Sequence, residues 1–306
     1  MSLDLSASTR LLVLAPHPDD ETIATGGLIQ QACAAGGKVR VVHLTDGDNN
    51  PWPQRWLERR LRIDASARQR WGRRRREEAG LALRELGLTE ASWRVMGWPD
   101  GEITTQLAAK SSAMVNALRA EMDDFGPNLV VMPSLGDRHP DHGSAHVLLR
   151  LALATYQGAP KVLAYLVHGR AAAEAVWLEV PLSIGQQANK LAALACYRTQ
   201  MALSGGRMHG MTARPERYEW IDLAVQASVA GVLPWQPSAW LRHRLQLTLV
   251  DASGVRSWRW SRAPLQLSEG GSYRLQWPEV AGPRFARLHL DLPSPWIFDH
   301  WGWCRL

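Results

Sequence analysis

Cysteine is scarce in this chain of 306 residues. Three occur, Cys33, Cys196 and Cys304, far apart and with no C-x-x-C spacing. That excludes a disulfide scaffold and a thiolate zinc site, and it fits a reducing cytoplasm. Long apolar runs are missing as well. Nowhere do about 18 uncharged apolar residues follow one another, so no helix is expected to span a membrane. The opening MSLDLSASTR has no basic stretch leading into an apolar one, and no signal peptide is expected. There is no internal repeat and no low-complexity tract. Zinc-finger, helix-turn-helix and RNA-binding signatures are absent, so no nucleic acid is expected as a partner.

What is present is an ordinary globular composition, with 46% hydrophobic and 21% charged residues. It suffices for one large domain, or one of about 220 residues with a small appendage. The formal charge is +6, and much of the arginine is concentrated: Arg55, Arg59, Arg60, Arg62, Arg68, Arg70 and the block Arg73 to Arg76. A field of that density attracts phosphates, nucleic acid or an anionic membrane surface. The plainer reading is a solvated helix face, partly neutralised by Glu58, Glu77 and Glu78.

LLVLAP (11–16) has the continuous apolar character of a strand buried on both faces. A helical pattern follows and stops at Gly36–Gly37. KVRVVHLTDGD (38–48) predicts a second strand, and the arginine-rich stretch from about 56 to 87 a helix ended by Gly87. A third strand in SWRVMGWPDG, a helix near 105–124, the strand NLVVMPS (128–134), another helix and the strand KVLAYLVHG (161–169) complete the pattern. This alternation predicts an α/β fold, a Rossmann-like, mostly parallel sheet flanked by helices. From about 226 the texture changes to period-two alternation broken by Gly, Pro and Ser, the mark of antiparallel strands. Two domains are expected, 1–228 and a small all-β C-terminal module at 229–306.

In a parallel sheet the active site lies beyond the carboxyl ends of the strands. Two loops rich in His and Asp fall there: HPDDE (17–21) after the first strand and SLGDRHPDHGSAH (134–146) after the fourth. Each alone reads as a capped turn, with Asp20 or Asp141 as the cap. Together they read as a site. His17 and Asp20, three apart at a strand-to-helix turn, can point to one centre, and His142 supplies a third ligand. Two imidazoles and a carboxylate leave a fourth position for water, as a catalytic zinc (Zn2+) requires; Fe(II), Co(II) and Mn(II) suit the same donors. The cation also explains why three acids sit side by side. Asp19 is left beside it as general base. His139 is placed to protonate a leaving group or steady an oxyanion, with Asp141 behind it. His146 reads as a packing or surface histidine.

APHPDDE (15–21) and HPDH (139–142), in this order, resemble the LmbE-like, or PIG-L, family of zinc-dependent sugar N-deacetylases. Pro16 before His17 departs from the family's usual Ala. TDGD (45–48), the helix positions Arg75, Glu78, Ala82, Leu86 and Gly87, WPDG (98–101) and KLAALACYRTQ (190–200) extend the likeness over roughly 10–225. Thr199 stands where Ser is commoner, and Asn49–Asn50 is unusual. The resemblance implies His17, Asp20 and His142 as zinc ligands, Asp19 as general base and His139 with Asp141 as acid or oxyanion stabiliser. It further implies that Arg75 and Asp100 hold the sugar. The expected reaction removes an N-acetyl group from an amino sugar or glycoconjugate, releasing acetate and the free amine.

The competing readings are an amidohydrolase acting on a non-sugar N-acyl compound or thiol-conjugate amide, and a basic protein that binds nucleic acid or a membrane surface without catalysis. The C-terminal module holds eight of the fifteen tryptophans: Trp235, Trp240, Trp258, Trp260, Trp277, Trp296, Trp301 and Trp303. They fill a small core, stack on sugar rings or rest on an anionic membrane. A cytoplasmic location, or one at the inner face of the membrane, is expected.

Overall fold

Apolar runs that never alternate are at home only in strands covered on both faces, and this chain spends them there. Strands β1 (Arg10–Ala15), β2 (Lys38–Thr45), β3 (Trp93–Trp98), β4 (Leu129–Pro133), β5 (Lys161–Tyr165), β6 (Trp177–Val180) and β7 (Glu216–Trp220) form one seven-stranded sheet in the order β3-β2-β1-β4-β5-β7-β6. The first five are parallel neighbours, and β7 runs antiparallel to β5 and β6. The computed structural model describes residues 3–169, 176–224, 231–278, 280–291 and 298–306. The expected boundary at 228/229 and Trp296 lie outside the described residues.

The chain divides into two compact units. The first comprises Met1–Glu102, Phe125–Pro133 and Gly158–Ile221, and holds the large sheet. The second comprises Ile103–Asp124, Ser134–Gln157 and Asp222–Leu306.

In the first unit, helices α1 (Asp20–Ala34), α2 (Pro51–Glu58), α3 (Ala65–Glu85), α6 (Ile184–Cys196) and α7 (Arg198–Thr212) accompany the sheet. Leu28 and Ile29 of α1 pack with Leu11 and Val13 of β1 and with Ala79, Ala82 and Leu83 of α3. Each large apolar side chain so buried is worth about 1.5–3 kcal/mol. Across this core a buried ion pair joins three elements. Glu216 lies 2.7 Å from Lys190 Nζ and accepts from the Gly27 and Leu28 amides at 2.7 and 3.0 Å and from the Tyr218 hydroxyl at 2.8 Å. The arginine-rich stretch forms two helices where one was expected. Arg59 takes a left-handed φ of 50° and ends α2, and Asp64 Oδ1 caps α3 by accepting from the Ala67 amide at 2.8 Å. Trp71, Arg75, Glu78 and Ala79 face inward from α3, whereas Arg73, Arg74 and Arg76 are exposed.

In the second unit, α4 (Ile103–Phe125) and α5 (Pro140–Thr155) lie with two small antiparallel sheets. One has the order β10 (Gly254–Arg259), β9 (Leu245–Asp251), β13 (Phe285–Leu290), β14 (Gly302–Arg305); the other β11 (Leu265–Leu267), β12 (Tyr273–Leu275), β8 (Val232–Leu233). Trp235 and Trp260 are buried with Leu245, Leu247 and Leu288, and Trp258, Trp277 and Trp301 pack against that cluster. Most of the described C-terminal tryptophans therefore fill a core, whereas Trp240 is exposed. Trp303 lies over α5: a Cβ built on Gly143 would come within 2.5 Å of its Cδ1.

Candidate active site

In the first unit β1 ends at Ala15 and α1 begins at Asp20. The intervening turn is tight enough to force Asp19 to a φ of 115°, a left-handed conformation that side-chain-bearing residues rarely adopt. The turn places His17 Nδ1 3.2 Å from Asp20 Oδ2, and the same oxygen accepts from the His17 amide at 2.9 Å. The far nitrogen of the ring, Nε2, lies 3.2 Å from Asp100 Oδ1. Asp100 also accepts from the Asn49 amide at 2.9 Å. Burial opposes its charge, but His17 and Arg75 outweigh that and hold its carboxyl far below the usual carboxylate range.

Asp19 is braced by Arg75, whose Nη2 lies 3.2 Å from its Oδ2. The buried guanidinium also donates to the Pro18 and Gly47 carbonyls, at 2.6 and 2.7 Å. That close approach explains Gly47 in TDGD: a Cβ there would overlap Arg75 Nη1. Burial pushes the Asp19 carboxyl up to about 7; Arg75 pulls it down, and Asp20 and Glu21 add to the rise.

Glu21 is fully buried and belongs to the core beneath the turn. Its carboxylate accepts from Thr22 Oγ1 at 2.5 Å, from the Tyr197 hydroxyl and from the Asp19 amide at 3.1 Å. His43 Nε2 lies at 2.8 Å, and His43 Nδ1 accepts from Trp93 Nε1, also at 2.8 Å. The indole N–H thus fixes the tautomer, so the Nε2 proton is directed at Glu21. Burial disfavours the Glu21 charge, but the His43, Thr22 and Tyr197 contacts prevail and lower its pKa. Glu78 accepts from the Thr199 amide and hydroxyl at 3.0 and 2.5 Å, a role a serine would fill equally well.

In the second unit the helix α5 starts at Pro140, and His139 is its cap: Nδ1 accepts from the Asp141 amide at 3.2 Å. An acceptor at Nδ1 places the proton of a neutral His139 on Nε2. His142 Nδ1 lies 3.2 Å from Asp137 Oδ2, both side chains being buried. The His139 and His142 ring centroids are 5.2 Å apart. Asp141 Oδ1 accepts from the Ile103 amide at 3.1 Å and so ties α5 to the start of α4. His146 stacks edge-on against Phe285 at 5.9 Å, consistent with a packing histidine.

The first unit thus brings together His17, Asp19, Asp20, Arg75 and Asp100, and the second brings together His139, Asp141 and His142. Three participants escaped sequence reasoning. Asp137 sits on His142, and its signal was a lone acid in GDRH. His43 holds Glu21, but in KVRVVHLT it reads as one more strand residue. His168 and Asp20 offer ligand atoms within 4.8 Å of one another, and His168 lies just past the carboxyl end of β5.

Residues 12–153 match the family described as PIG-L, GlcNAc-PI de-N-acetylase. A relative from Mycobacteroides abscessus, a 1D-myo-inositol 2-acetamido-2-deoxy-alpha-D-glucopyranoside deacetylase, is 34% identical over 160 residues, covering 47% of this chain and 55% of its own length. The chain spans about half the length of the relatives it matches. Among solved structures, the antimicrobial A40926 pseudoaglycone deacetylase superposes with a TM-score of 0.56 at 19% identity, over 71% of this chain and 99% of that one. A deacetylase triple mutant from the teicoplanin biosynthetic pathway gives 0.54 at 22%, over 69% and 97%. At these identities the likeness establishes the fold.

Proposed function

We propose, from the match of residues 12–153 to the PIG-L (LmbE-like) family, that this protein is a metal-dependent hydrolase that removes the N-acetyl group from an N-acetylated amino sugar or glycoconjugate. The observation that carries the reading is the pair His17 Nδ1 and Asp20 Oδ2, 3.2 Å apart at the end of β1 with Asp19 between them in the chain. Donor atoms on a tetrahedral zinc with bonds of about 2.0–2.1 Å stand about 3.3 Å from one another, so the donor spacing fits the ion.

His142 is the proposed third ligand. Its segment follows β4, the parallel neighbour of β1, and strands paired in that way release their loops at one edge. Asp137 at its Nδ1 orients the ring so that Nε2 is the ligand atom. Two imidazoles and a carboxylate suit zinc, with Fe(II), Co(II) and Mn(II) as alternatives. Such an ion lowers the pKa of its water to about 7 and polarises the amide carbonyl.

Asp19 takes a proton from the attacking water. Its left-handed backbone and the Arg75 contact fix where that carboxylate points. His139 donates its Nε2 proton in a hydrogen bond to the developing oxyanion, and Asp141 steadies α5 behind it. The proton held by Asp19 passes to the departing nitrogen as the C–N bond breaks, giving acetate and the free amine. Arg75 and Asp100 are proposed to hold the sugar from the positions in which they brace Asp19 and His17. The three cysteines are free thiols, which supports a reducing, cytoplasmic compartment. Among the described residues no helix is long and apolar enough to cross a membrane.

Elemental analysis beside an acetate-release assay tests the reading. Wild-type protein should hold about one zinc per chain and release acetate from an N-acetylated amino sugar. His142→Ala should lose most of the metal, and Asp19→Asn should keep the metal without turnover. A wild-type protein that binds no metal even when zinc is supplied would overturn it.

A further inference from the structure

Helix α2 is built inside out. Its inward residues are Pro53 and the polar Gln54, whose Nε2 donates to the Ala67 carbonyl of α3 at 2.7 Å. Its outward residues are Trp52 and Trp56, 68% and 67% exposed, and Leu57; Leu61, just beyond the helix, is 89% exposed. Large apolar groups placed outward while an amide is taken inward cost solvation in water and contribute nothing to the core.

The charge around them is mostly positive. Arg55 lies over the Trp52 ring, 5.1 Å from its centroid, and Arg59, Arg60 and Arg62 are exposed along the same short segment. Glu58, the one acid in this stretch, pairs with Arg70 at 3.2 Å. On the adjoining α3, Arg73 is exposed too, whereas Arg74 pairs with Glu78 at 3.7 Å and Arg76 with Asp46 at 2.5 Å. Tryptophan beside arginine on an exposed short helix is the composition that partitions into the headgroup layer of an anionic bilayer, the indole at the boundary and the guanidinium on phosphate. A protein groove would supply pockets for the indoles and acids for the arginines. A bilayer needs neither.

The placement gives the surface a use. The loop entering α2 carries Asn49, whose amide holds Asp100, and Asp100 in turn touches His17. One residue, Asn50, separates that contact from the first turn of α2.

We propose that residues 51–62, with the exposed Arg73 of α3, form an interfacial anchor that docks this protein on an anionic lipid surface. The docking surface does not rest on the deacetylase reading.

Vesicle co-sedimentation tests it, with phosphatidylglycerol-containing and pure phosphatidylcholine vesicles at low and high salt. Wild type should sediment with the anionic vesicles at low salt only. Trp52→Ser/Trp56→Ser should lose about tenfold or more in partitioning, and Arg59→Gln/Arg62→Gln a similar amount, about fivefold per arginine near an anionic surface. These side chains are exposed, so both variants should fold and should release acetate from a soluble N-acetylated sugar at the wild-type rate. No sedimentation of wild type, or sedimentation of the tryptophan variant equal to wild type, overturns the anchor. So does a duplex oligonucleotide that binds wild type more tightly than the vesicles do, or self-association through this face in analytical ultracentrifugation. Selective vesicle binding without acetate release from any N-acetyl sugar would sustain the anchor and sink the deacetylase reading instead.

Discussion

Gly143→Ala sets two opposed effects against each other at a position next to a proposed ligand. In the interior of a helix the change from Gly to Ala stabilises by about 1 kcal/mol, and less than that here, because Gly143 stands in the first turn of α5. Against it, the new methyl would lie 2.5 Å from Trp303 Cδ1 and 3.3 Å from Nε1. The indole is rigid, buried and anchored in β14, so relief requires the strand or the helix to move. Overpacking of that kind costs about 1–3 kcal/mol. The net expectation is a destabilisation of about 1–2 kcal/mol, seen as a melting temperature lower by roughly 2–8 °C. Thermal denaturation followed by circular dichroism measures it. A second measurement isolates the cause. In a Trp303→Ala background the clash is gone, and Gly143→Ala should then stabilise. If Gly143→Ala raises the melting temperature of the otherwise wild-type chain, Trp303 does not press on α5 as described.

Three further outcomes follow from the same contacts. Asp137→Asn should weaken metal binding about 10–100-fold, as loss of a carboxylate behind a histidine ligand does elsewhere, and equilibrium dialysis with zinc reads this directly. Lys190→Met leaves Glu216 buried without its cation and should cost about 3–5 kcal/mol in urea denaturation, whereas Lys190→Met/Glu216→Gln should recover much of that. His289 is lowered to about 4 by burial and by Arg287. Its folded pKa lies below the unfolded value of about 6.5, so the unfolded chain binds the extra proton first. Stability from this group is complete above about pH 6.5 and is lost as pH falls toward about 4, by at most about 3 kcal/mol. His289→Gln should flatten that part of the stability profile; an unchanged slope would remove His289 as its source.

The parallel core was legible because LLVLA and LVVMP are too apolar to be half-exposed strands and too short to be helices. β6 and β7 were not, since WLEV and ERYEW are half polar and their antiparallel pairing is decided by tertiary contact, Glu216 reaching α1 and Lys190. The candidate site stood out in the sequence because a histidine and three acids gather beyond the end of a strand. Glu21 is the instructive case. Grouped with its neighbours it reads as one of three acids around a cation, yet it turns into the core and is held there by His43, Thr22 and Tyr197. No local pattern shows which way a carboxylate turns when its partners are 22 and 176 residues away. The break between α2 and α3 was readable in principle from Asp64 as a cap, but the arginine run on both sides masked it.

The packing of Trp303 on Gly143, with the Asp299 amide donating to the Arg138 carbonyl and Arg287 gripping Asp299, bears on the order in which the chain matures. The helix that begins at Pro140 is synthesised long before the strand that covers it. Until residues 285–291 and 298–305 have left the ribosome, HPDH waits on a helix that Trp303 does not yet cover. Domains ordinarily fold in the order they emerge; here the chain through about residue 220 can assemble the seven-stranded sheet early, while the proposed third ligand is secured last. A nascent chain would thus pass through a stage with a finished sheet and an unfinished second unit.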